Sequence, residues 1–245
     1  MMTDNTNSIL RSAKRFLTGT LLSRLTGLLR DIAMAAAFGT DASIAAFLLA
    51  FRFSHLFRRM LGEGALQTAF VPAFEEVRRA SDKEAGQFFK DVTIGLTLSL
   101  LVIVLGSMAA LWWGANYLSP ANKEVAALTF WMMPSLFFIC LYGLNAGLLQ
   151  CENRFFTASF APVAFNCVWI AGVYFCRHLE TTEAMRWLSL FIILACAGQW
   201  LMTEPGVWSI RKRLGSFSWG NPFSKNVRKV IAPLFLGILG ISASQ

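Results

Sequence analysis

Long stretches without a charged residue dominate the second half of this chain of 245 residues. Five such stretches follow Asp91, and they comprise residues 92–122, 125–151, 155–176, 187–203 and 230–245. A helix needs about 20 apolar residues, and at least about 17, to cross the hydrocarbon core of a membrane. The first four stretches therefore predict complete membrane spans. The fifth reaches the last residue and predicts only the start of another span.

Two apolar segments precede these stretches, and both carry charged residues. Gly62, Gly64 and Pro72 predict a bend in the second segment. Because only helices satisfy their own backbone hydrogen bonds in lipid, we predict an all-α, polytopic helix bundle with six full transmembrane helices and a truncated seventh. The predicted spans are 16–38, 42–74, 92–118, 125–150, 157–176, 187–209 and 229–245.

Lys and Arg residues outside the spans are distributed unevenly between the two sides of the predicted membrane. With the N-terminus in the cytoplasm, the inner segments hold 14 of them, whereas the outer loops hold only Lys123, Arg177 and Arg186. An excess of basic residues marks cytoplasmic loops, so we predict a cytoplasmic N-terminus. The net charge of +8 then reflects topology, and because the basic residues lie in short loops we predict no nucleic-acid partner.

Composition and residue chemistry exclude several classes of protein. Hydrophobic residues make up 56% of the chain and charged residues 15%, against about 45–50% and about 25% in soluble domains. This composition argues against a soluble enzyme and against a disordered chain. Two His residues and five Cys without CxxC spacing predict neither a metal site nor a cofactor.

Five arginines lie inside the first two predicted spans, where a charge is costly. They are Arg24, Arg30, Arg52, Arg58 and Arg59. Each costs about 2.5–3.5 kcal/mol at the centre of a membrane helix, and a Leu or Ile offsets only about 0.3–0.6 kcal/mol. Asp31 and Glu63 can neutralise only part of this charge.

Helical spacing groups these charges and leaves two interpretations open. Arg24 and Asp31 are seven positions apart and share one helix face, and the second span carries Arg52, Arg59 and Glu63 on one face. In the first interpretation, Arg30 and Arg59 form structural ion pairs, whereas Arg24 and Arg52 extend to the membrane interface. In the second, the arginines line a hydrated cavity that binds an anion. We favour the second, because the planar guanidinium matches the oxygens of a phosphate.

Several motifs resemble those of one transporter family. They are SRLTGLLRD at 23–31, AFRFSHLFRRMLGEGALQTAFVPAF at 50–74, NRFFTASFAPVAFN at 153–166 and APLFLGILGISASQ at 232–245. In this order they resemble the MurJ/MviN family of lipid II flippases, which belongs to the multidrug/oligosaccharidyl-lipid/polysaccharide exporter superfamily. The resemblance extends over the whole chain.

The resemblance implies a fold and a function. It implies a MATE-like transporter with two pseudo-symmetric lobes around a cationic cavity, of which this chain is the N-terminal lobe. The implied activity is the flipping of lipid II, an undecaprenyl-diphosphate-linked peptidoglycan precursor, across the bacterial inner membrane by alternating access. It assigns the family's essential arginines to Arg24, Arg30 and Arg58, and its acidic residues to Asp31 and Glu63. The implied partners are lipid II, membrane lipids and either the missing C-terminal lobe or a second copy of the chain.

The sequence departs from the family pattern in three places. Ala45 stands where the family usually has an Asp, although Asp41 lies four residues earlier, and Ser54–His55 replaces the usual Pro-Asn. The chain also stops inside the predicted seventh helix.

The residues alone are also compatible with three other functions. A related exporter of drugs or lipid-linked polysaccharides would share the architecture. A membrane enzyme acting on polyprenyl phosphates would need a nucleophile or a general base, for which His55 is the lone candidate. A half-protein that scaffolds the cell-wall machinery would transport nothing.

Overall fold

The computed structural model describes residues 2–61 and 65–215 and, beyond them, residues 220, 221, 224, 227, 228 and 230. Within these ranges, the side chains of residues 2–13, 55–61, 65 and 121 are outside the description. The predicted seventh span therefore lies outside the described residues, apart from Val230.

The described residues form helices and no strand, which confirms the predicted all-α class for this part of the chain. The helices are α1 (Met2–Phe38), α2 (Ala42–Leu61), α3 (Ala65–Ala80), α4 (Asp82–Gly114), α5 (Pro120–Met132), α6 (Ser135–Cys151), α7 (Phe155–Cys176) and α8 (Thr181–Leu214), with a short 3₁₀ helix at Ala115–Tyr117.

Three segments are long and apolar enough to cross a membrane on their own, and they are Asp82–Tyr117, Phe155–Cys176 and Thr181–Leu214. Asn122–Met132 and Ser135–Cys151 together form a fourth candidate, bent by 46°. Helix α1 carries three charges in its apolar part, Arg24, Arg30 and Asp31, and is not among these candidates, and the part of α2 whose side chains are described, Ala42–Ser54, is apolar but shorter. The helices support a multi-pass membrane protein, and the count of six full spans stays a prediction.

Proline and glycine account for the main interruptions. The predicted span 125–150 contains two helices because Pro134, between α5 and α6, has no backbone N–H to continue the hydrogen-bond ladder. Helices α1 and α8 end at Gly39 and Gly215, whose φ angles of 69° and 70° suit glycine. The predicted span 42–74 is likewise divided between α2 and α3, and the intervening residues 62–64 lie outside the description.

Helix packing places α7 between α1 and α8. Helix α1 packs mainly on α7, and α7 packs equally closely on α8, which in turn contacts α6. Helix α2 packs mainly on α5, and α3 packs on α4 and α6. The arginines of α1 and α2 are thus carried by helices that rest on different neighbours.

A small residue allows α1 to approach α7 closely. A Cβ atom at Gly19 would overlap Ser159 Oγ and lie 3.2 Å from the backbone nitrogen of Phe160. Gly19 therefore has a packing role, since small residues let membrane helices come together.

We expect Gly19→Leu to destabilise the α1–α7 contact by about 1–3 kcal/mol, because the larger side chain has no space there. Thermal unfolding in detergent measures the effect, at about 2–4 °C per kcal/mol for a chain of this size. Gly106→Leu is the matched control, because a Cβ atom at Gly106 meets nothing within 4 Å. Equal melting temperatures for the two variants would contradict the assignment.

The segment that follows α8 returns to α4. The carboxylate of Asp91 is buried and accepts hydrogen bonds from the backbone nitrogen of Asn221 and from Gln87 Nε2, both at 2.8 Å. Val227 and Val230 are buried as well. The chain is therefore bound to the bundle on both sides of Ser224.

Candidate functional site

Arg30 is held in place by three different groups. Its Nε and Nη2 atoms donate to Asp31 Oδ1 at 3.0 and 2.7 Å, and its Nη1 atom donates to Asn166 Oδ1 on α7 at 3.2 Å. The guanidinium carbon lies 4.6 Å from the centre of the Trp169 ring. A cation over an aromatic face is stabilised by about 2 kcal/mol or more when water is excluded. This arrangement fixes the guanidinium at the α1–α7 interface.

Asn166 connects α7 to α1 through both ends of its amide. Its oxygen accepts from Arg30, and its Nδ2 atom donates to Ser23 O at 3.1 Å and to Thr26 Oγ1 at 3.0 Å. The side chain is buried and lies beside Gly27, where a Cβ atom would be in ordinary contact with Nδ2 at 3.7 Å. The amide therefore has three hydrogen-bond partners, spread over about two turns of α1.

An aromatic cluster surrounds Trp169, the ring that lies beneath Arg30. Trp169 packs edge-on against Phe165 on α7 and against Phe47 and Phe51 on α2, with ring centres 4.7–5.9 Å apart. Only 2% of Trp169 is exposed. The rings fill the space between α2 and α7, so the face of Trp169 beneath Arg30 has a fixed position.

The other charged side chains of the predicted site that the structure describes are more exposed than Arg30. Arg24 and Arg52 are exposed, and neither forms an ion pair with any side chain that the structure describes. Asp31 is 65% exposed and pairs with Arg30, not with Arg24 on the same helix face. The structure thus joins Arg30 to Asp31 and leaves Arg24 and Arg52 without an ion-pair partner among the described residues.

The remaining predicted residues lie outside this description. Arg58 and Arg59 belong to the last turn of α2, but their side chains are not described, and the same holds for His55. Glu63 falls in the undescribed segment 62–64. Their roles stay predictions.

Ala45 lies exposed in the first turn of α2. Just before this helix, the side-chain oxygen Oδ1 of Asp41 accepts from the backbone nitrogen of Ala42 at 2.6 Å. Asp41 thus lies at the N-terminal end of α2, one turn before Ala45.

A second polar network joins α6 and α8. Asn145 Nδ2 donates to Thr203 Oγ1 at 3.0 Å and to Glu204 Oε1 at 2.8 Å. Helix α8 continues through Pro205 to Leu214. Glu204 thus belongs to a contact within the bundle and not to the predicted arginine site.

The end of α6 carries an ion-pair cluster. Glu152, whose side chain is only 6% exposed, pairs with Arg213 on α8 and lies 3.3 Å from Arg78 Nη1 on α3. These pairs connect α3, α6 and α8 at one end of the bundle and include none of the charges of α1.

Across the described residues, no group of three or more His, Cys, Asp or Glu side chains could hold a metal ion. The positive charges of the site are guanidinium groups, which bind anions through charge and directed N–H groups.

The family profile described as "Lipid II flippase MurJ" matches residues 34–245. The chain belongs to the MurJ family. It is 37% identical over 242 residues to the probable lipid II flippase MurJ of Chlamydia pneumoniae, covering 99% of this chain and 44% of that protein. It is 33% identical over 198 residues to the lipid II flippase MurJ of Burkholderia cenocepacia, covering 77% of this chain and 38% of that protein.

The fold also agrees with a solved MurJ structure in the inward closed conformation. The TM-score is 0.70 at 25% sequence identity, over 90% of this chain and 46% of that chain. The chain therefore spans less than half the length of these MurJ relatives. Flippases move a lipid and catalyse no covalent reaction, so the prediction of a transporter and not an enzyme is confirmed for the MurJ family.

Sequence reasoning missed Asn166 and Trp169 as contacts of Arg30. Asn166 lies 136 positions from Arg30, so no local pattern links the two. The available signal was an amide in the middle of a stretch of 22 residues without charge, where a polar side chain needs a partner.

We expect Asn166→Leu to weaken the α1–α7 contact by about 1–3 kcal/mol, because it leaves Arg30 Nη1 without its acceptor. Asn166→Asp keeps an acceptor for Arg30 and loses the amide donor to Ser23 and Thr26, so its effect should be smaller. Thermal unfolding in detergent compares both with Cys167→Ala, at an exposed neighbour on the same helix. A melting temperature for Asn166→Leu equal to that of the control would refute this role.

Proposed function

We propose that the chain forms the N-terminal lobe of a flippase that moves lipid II from the inner to the outer leaflet of the bacterial cytoplasmic membrane. In this proposal, Arg24, Arg30 and Arg58 bind the diphosphate of the lipid in a central cavity. Arg52 and Arg59 contribute positive charge, and Asp31 and Glu63 balance part of it. The N-terminus is cytoplasmic, and six full spans plus the start of a seventh make up the lobe.

The guanidinium of Arg24, which is exposed and has no ion-pair partner among the described residues, is the observation that carries this proposal. Arg24 lies in the apolar part of α1, between the exposed side chains of Leu21 and Leu28. A charge left facing lipid there would cost about 2.5–3.5 kcal/mol, so its position favours a hydrated cavity and an anionic ligand.

Arg30 supports the same proposal through its rigidity. Asp31, Asn166 and Trp169 occupy only part of its donors, because a guanidinium carries five N–H groups and three of them are used. A fixed cation with free donors binds a phosphate without first having to be ordered. The ion pair with Asp31 also agrees with the first interpretation, in which Arg30 forms a structural ion pair. Binding of an anionic ligand must therefore be tested directly.

The mechanism requires no covalent chemistry. The diphosphate partly neutralises arginines that repel one another, which allows the cytoplasmic side of the cavity to close. The membrane potential can bias the transition by about 2.3 kcal/mol per charge per 100 mV. The polyprenyl tail stays in the lipid throughout, so only the polar headgroup crosses through the cavity.

Binding of undecaprenyl diphosphate to the purified chain, measured by native mass spectrometry in detergent, tests the assignment. We expect the double variant Arg24→Ala/Arg30→Ala to bind at least about tenfold more weakly, since a hydrogen bond to a charged group contributes about 1.5–3 kcal/mol. Arg211→Ala, which removes an exposed arginine near the end of α8, is the control. Equal binding by the double variant and the control would rule out the arginine site.

A further inference from the structure

A cleft of 440 Å³ lies between α5 and α8, and none of the arginines of α1 and α2 lines it. It is lined by Ala127, Trp131, Glu183, Arg186, Trp187 and Leu190. Its volume falls within the range of about 300–1,000 Å³ that is usual for small-molecule sites. We propose that this cleft binds the headgroup of a phospholipid with a phosphoethanolamine group, with the phosphate on Arg186 and the ammonium on Glu183.

The two charges of the cleft are available to a ligand. Glu183 and Arg186 are exposed, lie three positions apart on α8, and form no ion pair with each other or with any other described residue. Glu183 Oε1 accepts only a long hydrogen bond from Trp187 Nε1, at 3.4 Å. A cation and an anion held side by side complement a zwitterionic headgroup, whereas a purely anionic headgroup would meet the repulsion of Glu183.

Two tryptophans place the cleft at the depth of lipid headgroups. Trp131 and Trp187 are 48% and 50% exposed, so half of each ring is open to the surroundings. Trp187 is also the first residue of a stretch of 17 residues without charge, and Arg186 is the last charged residue before it. Tryptophan is enriched where the hydrocarbon of a membrane meets its headgroups.

The cleft is also preformed. The opposite face of α8 carries Ala184, Met185 and Leu188, all of them fully buried in the bundle core. Ala127 on α5 has a small side chain and leaves space between the two helices. A lipid therefore meets fixed walls and loses little affinity to reorganisation of the protein.

Native mass spectrometry of the full chain in a non-ionic detergent tests the proposal. Palmitoyl-oleoyl phosphatidylethanolamine, phosphatidylglycerol and phosphatidylcholine are added in turn at equal concentration. We expect phosphatidylethanolamine to bind most strongly, because its ammonium can donate hydrogen bonds to Glu183 and choline cannot. Binding of phosphatidylglycerol as strong as that of phosphatidylethanolamine would overturn the proposal.

Two variants test whether Arg186 and Glu183 bind the headgroup. Arg186→Ala should weaken phosphatidylethanolamine binding about tenfold, whereas Arg177→Ala should leave it unchanged, since Arg177 lies outside the cleft with its guanidinium 4.2 Å from the Tyr174 ring centre. Glu183→Gln keeps an acceptor for Trp187 but removes the charge, and should abolish the preference for phosphatidylethanolamine over phosphatidylglycerol. Retention of that preference in Glu183→Gln, or unchanged binding by Arg186→Ala, would refute the assignment.

Discussion

Arg24→Ala in the full-length protein is expected to abolish its support of cell-wall synthesis, while the protein still accumulates in the membrane. Arg24 is exposed on α1 and makes no ion pair among the described residues, so its removal costs the fold little and deprives the proposed cavity of a phosphate ligand. Growth of a strain that depends on the protein, together with its level by immunoblot, measures both effects. We expect the same loss of function for Arg30→Ala and Arg58→Ala.

A lysine variant tests whether the shape of the guanidinium matters in addition to its charge. Arg24→Lys keeps the charge and loses the planar fork, so we expect it to restore growth poorly. Arg211→Ala, at an exposed position near the end of α8, should grow normally. Normal growth of a strain that lacks both Arg24 and Arg30 would exclude the cavity assignment.

The 245 residues alone are expected not to move lipid II across liposome membranes. Alternating access requires one lobe to move against another, and this chain spans 44% of a MurJ relative to which it is 37% identical. Without a second lobe, the charged face of α1 must meet lipid, pair with another copy or stay hydrated through a bilayer defect. We therefore also expect low stability and a tendency to dimerise.

Liposomes that contain the full-length protein are the positive control for this experiment, with lipid II exposure at the outer surface as the measurement. Transport by the purified 245-residue chain would contradict the prediction. Such a result would indicate a homodimer, with two copies in place of the two pseudo-symmetric lobes.

The long apolar helices could be predicted from the sequence, because a charge-free stretch has only one stable form in lipid. The predicted span 157–176 lies within α7 (Phe155–Cys176), and the span 187–209 lies within α8 (Thr181–Leu214). Helix α4 begins at Asp82, ten residues before the predicted span. Hydropathy locates the part of a helix that lies in hydrocarbon and not the polar turns that extend beyond it.

The contacts of the candidate site could be predicted only in part. Helical spacing placed Arg24 and Asp31 on one face, whereas the structure pairs Asp31 with Arg30, turns Arg30 toward α7 and leaves Arg24 exposed. The contact of Arg30 with Asn166 depends on how α1 packs on α7, and the local sequence pattern of either helix does not predict that packing. The bend at Pro134 was missed because charge-free stretches carry no information on helix direction.

The hydrogen bond between Asp91 and Asn221 bears on where the protein can pivot. The buried carboxylate binds the chain after α8 to α4, and Val227 and Val230 are buried against the same bundle. A segment held in this way moves with the bundle as one body. A pivot between α4 and the chain around Asn221 would therefore have to break a buried hydrogen bond to a charged group.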